Sequence, residues 1–84
     1  EEKVPTGTSE SRFASYVLSQ TSSLVGKSLR RARLREDHNA LLVAVERTGN
    51  DGDTQYLSPT PDIVFAPGDI LWLVGSPKKI KAIV

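Results

Sequence analysis

Two short, unbroken apolar runs, Ala40–Val45 and Ile70–Val74, constrain this chain more than any other feature. Each is too short to make a helix of its own, and each is bounded by turn formers. Glu46, Arg47 and the Gly/Asn/Asp-rich stretch Thr48–Asp53 follow the first run; Pro67-Gly68 and Gly75 bracket the second. Runs of that length between such boundaries read as buried strands. Because successive side chains of a strand point to opposite faces, a continuous apolar run makes both faces of its sheet apolar.

The other elements are fitted around these two. Phe13–Gln20, holding Tyr16, Val17 and Leu18, is short and β-favouring and is expected to be a strand. Val25, Leu29 and Ala32 recur at four- and three-residue steps, flanked by Leu24 and Leu34, so a single helix is expected over Lys27–Asp37, with Gly26 as its N-cap and Asn39 closing it. Thr48–Asp53 has the composition of a hairpin turn, Thr54–Leu57 its returning arm, and Pro59 and Pro61 stop that arm. Ile63–Phe65 is expected to be a further short strand. Pro67-Gly68 suits the centre of a type II turn, and Ser76-Pro77 starts a last helix with Ile80, Ile83 and Val84 on one face.

The order strand, helix, four strands, helix is an α+β pattern: a small mixed or antiparallel β-sheet with two short helices. Residues 1–12, with Pro5, Gly7 and little to bury, read as a linker or disordered lead-in, and 13–84 as the folded domain. Two short helices cover about one face of such a sheet, so a second copy or a partner is expected on the other, against Leu42, Ile70, Trp72 and Val74 or their opposite-face neighbours.

Size and charge narrow the function. A chain of 84 residues has little apolar material with which to wall off a deep catalytic cleft, which favours binding over chemistry. Its net charge of +1 lacks the basic excess of a nucleic-acid binder. With no cysteine there is no disulfide framework or thiolate site, and a reducing compartment is expected. No apolar run approaches the length of a membrane span, and the polar start is unlike a signal peptide. The absence of methionine suggests a segment of a longer protein.

The expected first helix carries five cations, Lys27, Arg30, Arg31, Arg33 and Arg35, with Lys27, Arg31 and Arg35 along one stripe. Such a stripe reads first as a solvated face partly neutralised by Glu36 and Asp37, and second as a dock for an anion. His38, the only histidine, has no neighbour with which to share a metal and suits a helix C-terminus, where positive charge is favoured. No nucleophile elbow, dinucleotide fingerprint or phosphate loop is present, and an enzyme is not expected.

Taken together, Ser23-Leu24-Val25-Gly26-Lys27-Ser28-Leu29, Leu41–Arg47, Pro61 and Pro67-Gly68-Asp69-Ile70-Leu71-Trp72-Leu73-Val74-Gly75 resemble the TrkA-C (RCK-C) family over about Tyr16–Val84. The resemblance implies a cytoplasmic, ligand-sensing regulatory domain of a membrane ion transporter or channel, for potassium or another cation. It acts as a homodimer beside the membrane transport domain of its parent. The alternative is a purely structural dimerisation or docking module on the same kind of parent. Some members bind cyclic di-adenosine monophosphate between two copies, near the end of the first helix and the following strand. By position Arg35, His38, Asn39 and Leu41 fall there, which makes an anionic nucleotide the expected ligand. Asn39 stands where a glycine is frequent, and Leu41 where some nucleotide-binding members carry a polar side chain.

Overall fold

The computed structural model describes residues 11–84. The lead-in expected over residues 1–12 therefore lies mostly outside the described residues, and Arg12 opens the first strand opposite Gly75. The elements are β1 (Arg12–Val17), α1 (Leu29–Ala32), α2 (Leu34–His38), β2 (Leu41–Thr48), β3 (Thr54–Leu57), β4 (Ile70–Gly75) and α3 (Pro77–Lys81). The four strands form one sheet in the order β1-β4-β2-β3, and every pairing is antiparallel. The fold is α+β.

An irregularity in β2 explains how an unbroken apolar run serves two faces. Leu42 lies opposite Leu73 and Ala44 opposite Trp72, which leaves Val43 as the extra residue of a bulge. The bulge resets the alternation, so Leu42 and Val45, three apart, both point into the core. They meet Tyr16 of β1 and Leu71 and Leu73 of β4, and Leu18, Leu24, Ala32, Leu34, Ala40, Phe65 and Ile80 complete the cluster. The helices and the segments carrying Leu24 and Phe65 cover this face alone.

Among the described residues, no element covers the opposite face, as the apolar runs imply. Phe13, Val17, Val43 and Tyr56 are exposed there, with Ile70, Trp72 and Val74 half-buried among them. Leu42, which the sequence placed among the candidates for that open face, belongs to the core.

The single helix expected over Lys27–Asp37 is two. Ser28, not Gly26, caps the first, its hydroxyl accepting from the Arg31 N–H at 3.2 Å. Arg33 then takes the left-handed conformation at φ 50 and separates α1 from α2. On a continuous helix Ala32 and Leu34 would point to nearly opposite sides; the break lets both be buried. It also dismantles the expected Lys27–Arg31–Arg35 stripe. Gly26, at φ +85, shapes the approach to α1 and donates to the Phe65 carbonyl at 2.9 Å.

The strand expected over Ile63–Phe65 does not join the sheet. That segment runs beside residues 26–29 through an isolated bridge between Ser28 and Val64. Pro59 and Pro61, which precede it, have no N–H to donate to a longer ladder. The Pro67-Gly68 turn forms as expected, with Gly68 at φ +86 and the Asp69 N–H reaching the Ala66 carbonyl at 3.2 Å. Asn39 closes α2 at φ 51, and Ser76-Pro77 opens α3.

Candidate ligand-binding site

The end of α2 and the start of β2 form a corner. Asn39, in the left-handed conformation, donates its N–H to the Leu34 carbonyl, and the Ala40 N–H reaches the same carbonyl at 3.0 Å. These two bonds turn the chain from helix into strand within two residues. Ala40 is thereby buried, while Asn39 and Leu41 face outward on either side of it.

Two shallow depressions meet at this corner. One, of about 350 Å³, has apolar walls from Leu29, Leu34, Ala40, Leu41, Leu42, Pro59 and Pro61, with Arg30, Arg35 and Glu36 beside them. The other, of about 310 Å³, is formed by Ser11, Arg35, Asn39, Ala40, Leu41 and Val74. Arg35, Ala40 and Leu41 belong to both.

The structure thus brings Arg35, Asn39 and Leu41 together. His38 lines neither depression: it sits half-buried at the end of α2.

Among the helix cations of the described residues, Arg30 pairs with Asp62 and Arg33 with Asp37, each at 3.3 Å and each solvent-exposed. Such pairs contribute little to stability, but they occupy two of the guanidinium groups. Arg35 makes no ion pair among the described residues and remains available to an anion at the mouth of both depressions.

Sequence reasoning did not anticipate the wall made by Pro59 and Pro61. The signal was there in two prolines one residue apart, which hold a segment extended, but nothing local says where that segment docks. It docks on α1, where the Arg30 N–H donates to the Pro61 carbonyl at 3.0 Å.

Residues 13–84 match the TrkA-C domain. The chain belongs to the TrkA-C family. Its fold is also similar to a solved structure described as the GsuK RCK domain, at 26% sequence identity and a TM-score of 0.55, over 83% of this chain and 15% of that one. The TrkA-C domain thus spans a small fraction of that relative's length. A comparison with proteins of curated function finds no match. The family match and the structural likeness agree on the kind of domain, a TrkA-C domain with the fold of an RCK domain. Among the described residues, no helix is long and apolar enough to cross a membrane.

Proposed function

We propose that this TrkA-C domain is a cytoplasmic ligand-sensing module of a membrane cation transporter or channel. It acts as a homodimer and couples an anionic nucleotide to the transport domain of its parent. The observation that carries the reading is the meeting of Arg35, Asn39 and Leu41 at one corner, with a guanidinium that forms no ion pair among the described residues beside apolar walls. A phosphate group gains charge-assisted hydrogen bonds from Arg35. Asn39 adds a polar contact beside it. Leu41, exposed and apolar, suits contact with a second copy or the face of a base rather than a base edge.

Cyclic di-adenosine monophosphate fits this chemistry, having two phosphates and a two-fold shape matched to a dimer. Titration calorimetry of the chain with cyclic di-adenosine monophosphate, ATP and ADP tests the reading. Binding of one of them, weakened by roughly 1.5–3 kcal/mol in Arg35→Ala as for a hydrogen bond to a charged group, is the expected result. Equal binding to Arg35→Ala moves the site elsewhere.

A second reading is favoured by the apolar Leu41 and by the shallowness of both depressions: a structural dimerisation or docking module without a small-molecule ligand. The absence of binding by all three nucleotides at millimolar concentration, in a chain that still dimerises, selects it.

A further inference from the structure

The open face of the sheet, which reaches the corner at Arg35 through Leu41 and Val74, has a chemistry of its own around Trp72. Three of the chain's five aromatic residues gather there, Phe13 of β1, Trp72 of β4 and Tyr56 of β3. The Phe13 and Trp72 rings lie 5.4 Å apart at an interplanar angle of 34°. Tyr56 is 72% exposed and stands opposite Glu46 in the β2–β3 register. With Val43, Ala44 and Glu46 these rings line an open hollow of about 340 Å³.

Glu46 is the unusual member. Among the paired positions of this face, Phe13, Ser15, Val17, Ile70, Trp72, Val74, Leu41, Ala44, Glu46, Thr48, Thr54 and Tyr56, it is the only charged residue. Its Oε2 accepts from the Trp72 indole N–H at 2.6 Å, which fixes the carboxylate against the ring without neutralising it. Among the described residues it forms no salt bridge. A fixed carboxylate between aromatic rings matches one kind of visitor, a cation that stacks on a π-face while pairing with an anion. The planar guanidinium of arginine does both.

We propose that the outer sheet face docks a partner protein segment that crosses it with apolar side chains and sets an arginine between Trp72 and Tyr56, paired with Glu46. A second copy of this chain is the poorer occupant. Laid on the same face it brings a second Glu46 and none of the paired positions brings a cation, so two carboxylates would be desolvated with only the indole hydrogen bonds and no counter-charge. A free organic cation is also poorer, because small-ligand sites enclose most of their ligand. This hollow is open and continuous with the exposed Val17 and Val43.

Trp72 is the only tryptophan, so its emission reports on the site directly. The 84-residue chain is titrated with the peptide acetyl-Val-Leu-Arg-Leu-Val-amide, with the same peptide carrying norleucine for arginine, and with ethylguanidinium. Expected is a saturable emission change with the arginine peptide, weakened roughly tenfold by the norleucine exchange or by Glu46→Gln, in line with a partly desolvated cation–π and ion pair. Tyr56→Ala, at an exposed position of an edge strand, weakens it severalfold and serves as the second variant if Glu46→Gln perturbs folding. Equal binding of the norleucine peptide, or no binding of either peptide up to about 10 mM, a concentration that reaches even the weakest specific complexes, overturns the proposal. Saturation by ethylguanidinium as readily as by the peptide, or Trp72 emission that depends on protein concentration alone, overturns the choice of a protein segment as occupant.

Discussion

Arg47 of β2 and Asp69, the residue before β4, form a two-pronged ion pair, with Nε 2.8 Å from Oδ1 and Nη2 2.7 Å from Oδ2. Asp69 is 1% exposed. Its carboxylate also accepts from the Ala66 N–H at 2.9 Å, while Arg47 donates to the Val64 carbonyl at 2.8 Å. The pair therefore fastens the irregular 64–69 segment to the sheet. The hydrogen bond to Asp69, aided by its charge and opposed by desolvation, raises the Arg47 pKa above the ordinary arginine value. A raised folded-state value means that this stabilisation is fully present below the unfolded arginine value. It is lost only as pH rises through the folded one, far above neutrality.

Asp69→Ala is expected to cost about 3 kcal/mol, because a half-buried guanidinium loses the one carboxylate it pairs with among the described residues. Arg47→Lys keeps the charge but not the fork and should cost about 1–2 kcal/mol. Urea denaturation followed by Trp72 emission measures both. A loss below about 1 kcal/mol for Asp69→Ala, the level of an ordinary exposed pair, contradicts the clamp.

Gly75→Ala tests the packing behind the candidate site. A methyl group at Gly75 would stand 3.2 Å from both Cα and Cβ of Ala40 and 3.1 Å from Cδ1 of Ile80. Ile80 can rotate, but the Ala40 backbone cannot yield without moving the α2–β2 corner. The expected cost is about 1–3 kcal/mol by overpacking, and thermal denaturation reads it. A variant as stable as the parent chain shows that the strand and the corner are less tightly joined.

Arg33→Gly and Asn39→Gly remove the cost of two left-handed residues. Asn tolerates that conformation better than Arg, so Arg33→Gly should gain more, up to about 1 kcal/mol. The exposed Arg33–Asp37 pair lost with it offsets only a few tenths. Chemical denaturation of both variants checks the order. Destabilisation by Arg33→Gly argues that the break between α1 and α2 is held by the arginine side chain rather than tolerated by it.

The strand content was legible because apolar runs between turn formers have few alternatives. Ala40–Val45, Ile70–Val74, the Thr48–Asp53 hairpin and the Pro67-Gly68 turn all follow from local chemistry. The helix expected over Lys27–Asp37 is instead two. Periodicity treats Val25, Leu29 and Ala32 as one face. It gives no weight to Leu34, whose burial demands the break at Arg33. The bulge at Val43 was invisible for a related reason: in an unbroken apolar run, a shifted register leaves no polar residue out of place. At the candidate site, Arg35 stands out in the sequence as one of a run of helix cations, whereas Asn39 and Leu41 are singled out by the family resemblance alone. Their convergence depends on the corner and on the prolines of a segment about twenty residues later.

Sedimentation velocity with and without cyclic di-adenosine monophosphate tests the sensing reading most directly. At about 100 μM, where weak dimers assemble, the chain is predicted to sediment as a dimer, and the nucleotide to strengthen that dimer at lower protein concentrations by linkage. Arg35→Ala should retain the dimer and lose the nucleotide effect. A species that stays monomeric at that concentration in both conditions contradicts the account.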